Sequence, residues 1–501
     1  MALPVMTMIE RHPALWTFAI ALAIRVGIVA LTGFDGLYGQ DPFAYLAQAR
    51  AIAETAPHGD WPRNDFFWPS GYPVVAATMM WLTGTTLAAA QAVNIVAGAA
   101  LAPLTYLLAR DLGAGVGPRA ALAAATLVAI GAQGVQSSVV VMADVTGLWW
   151  ATLGTWMALR ASARPGQAGV APRLTAGLAI GMATITRWQH ALLAPMTVWL
   201  AMRVTDTAPL RRLVRWLPAG ALALAIVFAQ ASLTVQTRSE GLAHEWLLSW
   251  HPANALARTV TTADGVQSHW LPVGVFYLQT FFHPGLLMPP LGVFALVGVW
   301  RLWEQRARVA LGVTLGWIAL QYAFLAGIPI HNLRFALGYW VPVAILAGVG
   351  IDRGLAWGRF RRTTAAVALL TMVAMLGWSA WTVRRLAERE AAIRRDVVAM
   401  AAHVPPGAPL LSFGVTLTAR HVTGRAIREF FDETPATLEA LLGDAPVIYL
   451  AIDARNVSTQ WSGRAPGRNL SWLREHATIT DVAHYPGFVL YEVTRHTTVP
   501  R

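Results

Sequence analysis

The chain has 501 residues, 56% of them hydrophobic and only 13% charged, with a mean hydropathy of +0.48. A soluble chain of this size would carry about a quarter charged residues, so a water-soluble globular fold is excluded. The net charge of +12 does not signal nucleic acid, because the basic residues, all of them arginine, collect in short loops between apolar stretches. With no cysteine, disulfides and thiolate metal sites are excluded as well.

In chain order, the first apolar stretch, 14–33, has only Arg11 ahead of it and no small-residue cleavage site, and reads as a retained signal anchor. Segment 34–90 follows as a large first loop. Further stretches long enough to cross a bilayer lie near 91–109, 119–137, 143–160, 174–186, 189–203, 213–236, 285–303, 309–328, 335–350 and 363–383. Arginine-rich short loops stay in the cytoplasm, and five loops qualify: 110–119, 160–173, 203–215, 301–308 and 353–362. One topology satisfies them all, with the N-terminus cytoplasmic and segment 34–90 outside. The piece 73–87 is apolar enough to add a crossing, but counting it would put every arginine-rich loop outside. It is therefore expected to be re-entrant or interfacial.

From 384 the composition changes. Arg384 to Arg395 read as a charged amphipathic helix, followed by short apolar runs at 409–415, 446–452 and 487–493 separated by polar or helical segments. Buried strands alternating with helices predict a small α/β domain. The expected fold is thus mainly α: a polytopic membrane protein with about eleven transmembrane helices, a large first extracytoplasmic loop with interfacial helices, and a small C-terminal α/β domain. The expected division is 1–383 for the membrane part and 384–501 for the extracytoplasmic domain. The arginine bias points to a bacterial inner membrane.

Ionisable groups near membrane depth are costly and tend to mark a function or a buried pair. In this topology several share the outer side: Asp41 and Tyr45 after the first span, Asp144 opening the fourth, Arg187 after a short span, and His331 and Arg334 before the tenth. A carboxylate at this lip is placed to take a proton from a substrate arriving from the aqueous side. Singly, each such residue is ordinarily a solvated or snorkelling cap; four loops bringing two carboxylates and two arginines to one lip read as a site. Arg25, inside the first span, either snorkels outward or neutralises Asp144. His190, His251 and His283 read as ordinary loop histidines. No pair has zinc-site spacing; a divalent ion shared by Asp41 and Asp144 is compatible with the residues but not indicated.

Taken together, the pattern resembles the GT-C class of membrane glycosyltransferases, nearest the branch of protein O-mannosyltransferases and lipid A aminoarabinose transferases. Four segments carry the resemblance: Asp41 with Tyr45; the run Trp68-Pro69-Ser70-Gly71-Tyr72-Pro73; the Asp144 helix ending in Leu159-Arg160, then Thr186-Arg187; and His331-Asn332-Leu333-Arg334-Phe335 leading to Val341-Pro342. The resemblance implies transfer of a sugar from a polyprenyl-phosphate carrier, with inversion, to a hydroxyl or amine of a lipid, glycan or protein acceptor, without a cofactor. It implies Asp41 as general base, Asp144 as a second catalytic carboxylate, and Arg187, Arg334 and His331 on the donor phosphate. Tyr45, Arg63 and Tyr72 are the implied substrate contacts; Arg63 stands in for a lysine that the aminoarabinose branch often carries where this chain has Trp68. Rival readings are a flippase moving a lipid-linked sugar without chemistry, a glycan ligase using a polyprenyl-diphosphate donor, and a non-enzymatic scaffold. Specificity for sugar and acceptor is expected in the outer loops, chiefly 238–283.

Overall fold

The computed structural model describes residues 12–65, 69–84, 86–163, 169–203, 208–235, 248–262 and 265–496. In chain order its first helices are α1 (Pro13–Thr32), α2 (Asp41–Thr55), α3 (Gly71–Thr83), α4 (Leu87–Asp111), α5 (Pro118–Ile130), α6 (Ala132–Ser138), α7 (Ala143–Ala163), α8 (Val170–Thr186), α9 (Ala194–Met202) and α10 (Pro209–Leu233). Next come α11 (Val273–Gln279), α12 (Pro289–Glu304), α13 (Arg308–Gly327), α14 (Trp340–Ala356) and α15 (Arg361–His403). Proline opens α1, α5, α10 and α12, where its missing N–H would have had no helical partner anyway.

Helical chain occupies every stretch read as apolar and long in the sequence. Among the described residues six helices are long and apolar enough to cross a membrane, or seven if α5 and α6, bent by 55°, count as one. At 13 residues, α3 is about 20 Å long, too short to cross the hydrocarbon core alone. It packs beside α2: the Trp81 indole donates to Ala53 O, and the Tyr72 hydroxyl to Ala90 O on α4. These elements form a buried layer at one end of the bundle, with Phe34, Leu37, Leu46, Val139 and Val141 inside it.

The α5–α6 break explains Arg25. It neither snorkels nor pairs with Asp144: it is 1% exposed, and its guanidinium donates to Ala21 O and Ala129 O, both at 2.9 Å. Ala129 O is among the last carbonyls of α5, which have no partner within the helix. Ser379 donates to the next carbonyl, Ile130 O.

In the C-terminal part the charged stretch 384–395 is not a separate helix. It continues the last apolar helix, so α15 runs unbroken for 43 residues across 383/384. Beyond it, β5 (Leu410–Ser412), β6 (Ile427–Glu429), β7 (Val447–Ile452), β8 (Ala477–Tyr485) and β9 (Phe488–Arg495) form one sheet in the order β6-β5-β7-β9-β8. The β6, β5 and β7 strands are parallel, and β9 and β8 run antiparallel to their neighbours. Helices α16 (Thr416–Thr423), α17 (Pro435–Asp444), α18 (Ala454–Thr459) and α19 (Ala465–His476) lie between the strands in the chain. The three apolar runs read from the sequence correspond to β5, β7 and β9; β6 and β8 are short or polar and gave no such signal. The first four strands complete the fold, a parallel pair of β1 (Asn64–Asp65) with β2 (Thr234–Val235) and an antiparallel hairpin of β3 (Thr259–Thr262) with β4 (Gly265–Ser268).

Candidate active site

Both acidic residues open a helix after a non-helical segment. Asp41 is the first residue of α2, and Asp144 lies in the first turn of α7; helix N-termini complement negative charge. Two buried amides on one face of α4, three residues apart, hold the segments leading into them. Gln91 donates to Phe34 O and Val139 O, each at 2.9 Å, and so ties the Asp41 loop to the Asp144 loop. Asn94 donates to Val140 O and Met142 O and accepts from Thr146 on α7. The Val141 N–H donates to Gly36 O at 2.9 Å, a second tie between the loops.

Arg187 follows α8 in extended backbone, which ends the helix and turns the side chain inward. Gly71 opens α3 directly against this corner: a Cβ there would lie 2.4 Å from Thr186 Oγ1, so only glycine allows the approach. Arg334 sits in the 3-10 turn Leu333–Tyr339, whose start is capped by the Asn332 side chain accepting from Arg334 N.

These four loops bring their charges into one alternating chain. Arg187 Nη1 lies 2.9 Å from Asp144 Oδ1, Arg334 Nε is 3.6 Å from Asp144 Oδ2, and Arg334 Nη2 is 3.3 Å from Asp41 Oδ2. Both guanidiniums cover the Phe335 ring, at 4.8 and 5.5 Å, and Tyr38 hydrogen-bonds Arg334. From Asp144 outward side-chain exposure rises, 2% for Asp144, 15% for Arg334 and 31% for Asp41, with Arg187 at 17% on the other side of Asp144. The four formal charges cancel, which is what a buried ionic cluster requires. Arg334 occupies the place between the carboxylates that a shared divalent ion would need. Among the described residues no group of three or more His, Asp or Glu side chains converges as a metal site.

The remaining predicted residues are placed differently. Tyr45, one helical turn after Asp41, is buried with its ring edge-on to Tyr72 at 5.6 Å. Burial first, and then Asp41, push its hydroxyl well above the usual tyrosine range. Tyr72 is fully buried, its hydroxyl committed to Ala90 O. His331 stands in a three-ring stack, 3.7 Å from His269 and 4.3 Å from Phe276. Burial, with His269 alongside, lowers its pKa to about 4, so near neutral pH it offers a hydrogen bond and not a charge. Arg63 is exposed in the turn before Asn64, outside the charge chain. Trp68, and residues 238–247, 263 and 264 of the outer loop 238–283, lie outside the described residues.

His251 and His283 cap their own turns, each ring accepting from a backbone N–H two residues on. His190 is not a loop residue of that kind: it is 1% exposed and lies against Gly147 of α7 at the Arg187 corner. Sequence reasoning passed over Tyr38, Gln91 and Asn94. The available signal was two amides at helical spacing in an otherwise apolar span, where an unpaired polar group is costly.

No protein-family model matches the chain, and no curated protein matches it in sequence. Solved structures do match in fold. ArnT from Cupriavidus metallidurans bound to undecaprenyl phosphate aligns over 98% of this chain and 98% of its own, with 14% identity and a TM-score of 0.62. Its apo state gives 0.60 over the same shares, also at 14% identity. The archaeal oligosaccharyltransferase AglB from Archaeoglobus fulgidus, in complex with an inhibitory peptide and a dolichol-phosphate, aligns over 98% of this chain and 75% of its own, with 12% identity and a TM-score of 0.57. The chain therefore shares its fold with ArnT and AglB, and among the described residues that fold includes six helices, or seven counting the bent pair, long and apolar enough to cross a membrane.

Proposed function

We propose that the chain is an inverting glycosyltransferase that moves a sugar from a polyprenyl-phosphate carrier to an acceptor hydroxyl or amine at the extracytoplasmic face. The observation that carries this reading is the graded exposure along one charge chain, closed at Asp144 and open at Asp41. Asp41 takes the acceptor proton as the acceptor oxygen or nitrogen attacks the anomeric carbon. The bond from that carbon to the phosphate oxygen breaks, and the carrier leaves as polyprenyl phosphate. A positioned base of this kind contributes about 10²–10⁴ in rate.

Charge grows on the departing oxygen, so cations fixed in advance favour the transition state. Arg187 and Arg334 supply them in the fork geometry that suits phosphate. Asp144, shut off from solvent, serves as a positioning carboxylate that neutralises and aims both guanidiniums. Arg334 is shared with Asp41, so an arriving phosphate competes for it and uncovers the base as the donor binds. His331 adds a neutral hydrogen bond, Tyr45 backs the base, Tyr72 supports Tyr45, and Arg63 is assigned a contact with the arriving substrate. Inversion follows from a single displacement.

About eleven crossings, a cytoplasmic N-terminus and an extracytoplasmic C-terminal domain complete the reading, in a bacterial inner membrane. Residues 1–383 then form the catalytic part and 384–501 the domain above it. The test is transfer in detergent, where no gradient exists, from a short-chain polyprenyl phosphate carrying a radiolabelled sugar, with solubilised envelope extract as acceptor. Label should leave the carrier and become covalently bound to acceptor. Label that stays on the carrier would indicate movement without chemistry, and transfer only from a diphosphate donor would make the protein a ligase.

A further inference from the structure

The segment that presents Asp41 has little to hold it from within. Residues 33–40 form neither helix nor strand, and Gly33, Gly36 and Gly39 all have positive φ. Glycine in that region pays the largest conformational entropy on ordering. A base on such a segment needs external contacts, because a displacement of about 1 Å can cost 10²-fold in rate.

Beside the ties of Phe34 and Gly36 to Gln91 and Val141, such contacts come from the C-terminal region on the residues just before and after Asp41. Arg394, on the protruding half of α15, binds both oxygens of Asp35 at 2.6 and 3.0 Å and donates to Leu37 O at 3.0 Å. Glu390, one turn earlier and 3% exposed, pairs with Arg394 and accepts from the Gly39 N–H. From the sheet side, Gln40 donates to Gly414 O and accepts from Leu417 N at 3.1 Å, and Thr418 donates to Gly39 O at 3.2 Å. His421 of α16 lies against the Phe43 ring at 5.2 Å. The same region has a second foothold: Gln460 O accepts from Val266 N and Arg464 donates to Thr262 O. Both contacts fall on the hairpin that leads into His269 and so to the His331 stack.

We infer that the C-terminal domain fixes the Asp41-bearing segment through Arg394, Glu390 and Gln40, which are positioning residues for the base. The inference rests on the transferase reading for its effect on rate, and on geometry alone for its effect on the segment. These hydrogen bonds fall on Asp35, Leu37, Gly39 and Gln40, while Asp41 pairs with Arg334. A contact that served only to attach two domains would have no reason to concentrate on the six residues preceding the base.

The test compares the full-length protein with Arg394→Met, Gln40→Ala and Arg394→Lys. Amide exchange across 33–43 should quicken at least about tenfold in Arg394→Met and Gln40→Ala, while α4 and α16 keep their protection. Turnover at saturating donor should fall about 10–100-fold, with the half-saturating donor concentration within about a factor of three, because Arg187 and Arg334 are untouched. Arg394→Lys, which keeps the charge on Asp35, should recover part of both losses. Unchanged exchange across 33–43 would overturn the inference, and so would faster exchange with undiminished turnover. If the wild-type protein transfers no sugar from any donor, the transferase reading fails, and the exchange comparison still decides by itself whether the domain fixes this segment.

Discussion

Asp41 and Asp144 start from the same local design and end in opposite environments. Each stands in the first turn of a helix, behind a non-helical segment tied to α4 by an amide. Asp144 is then enclosed by bundle helices and meets two guanidiniums, whereas Asp41 shares Arg334 with it and keeps about a third of its surface open. A carboxylate's task is set by what surrounds it more than by its position on a helix. The enclosed one can hold charge in place, and the open one can exchange a proton with a substrate.

The comparison breaks most sharply under matched substitutions. Asp41→Asn should lower turnover by at least about 10³-fold and leave folding nearly unaffected, since that side chain is partly solvated. Transfer assays and thermal unfolding in detergent check the two halves of the statement; full turnover in Asp41→Asn would remove it from the base role. Asp144→Asn leaves Arg187 without its carboxylate and Arg334 with Asp41 alone, and should cost about 3–5 kcal/mol of stability. It should also weaken donor binding more than acceptor binding. A stable Asp144→Asn protein that has lost only turnover would make the two carboxylates equivalent and dissolve the contrast.

A smaller effect sharpens it through pH. His331 has its folded-state pKa lowered to about 4, and that of His269 is lowered too. Both bind protons less readily folded than unfolded. The stabilisation they contribute is therefore present above the ordinary histidine pKa, about 6.5, and is lost as pH falls towards 4. The drop in unfolding temperature between pH 7 and pH 4.5 should be shallower in His331→Phe than in wild type. Equal drops would show that the ring stack is not what titrates. The charge chain itself contains no histidine, so turnover should show no His331 step between pH 5 and 8.

The charged half of this site was legible in the sequence because Asp41, Asp144, Arg187 and Arg334 interrupt apolar stretches at their ends, where a charge stands out. The apolar stretches likewise gave the helices, and three apolar runs gave β5, β7 and β9. What escaped depended on contacts remote in sequence. Arg394 reads as one of several arginines on a charged helix, and nothing local says that it reaches Asp35, 359 positions away. Gln91 and Asn94 look incidental until the carbonyls of 34 and 139–142 are seen facing them. Arg25 invited an acidic partner, but its partners are carbonyls, Ala21 O on its own helix and Ala129 O at a helix break that the apolar stretch from 119 to 137 conceals. The ring stack around His331 left no local signal, because His269 lies more than sixty residues earlier in the chain.

The most direct measurement is an experimental structure of the protein with a polyprenyl phosphate bound. The account predicts the phosphate oxygens at charge-assisted hydrogen-bond distance, about 2.7–2.9 Å, from both Arg187 and Arg334, with Arg334 drawn off Asp41 and the Asp41 carboxylate facing open space beside the phosphate. A phosphate seated elsewhere, with the Arg187–Asp144–Arg334–Asp41 chain intact and undisturbed, would contradict it.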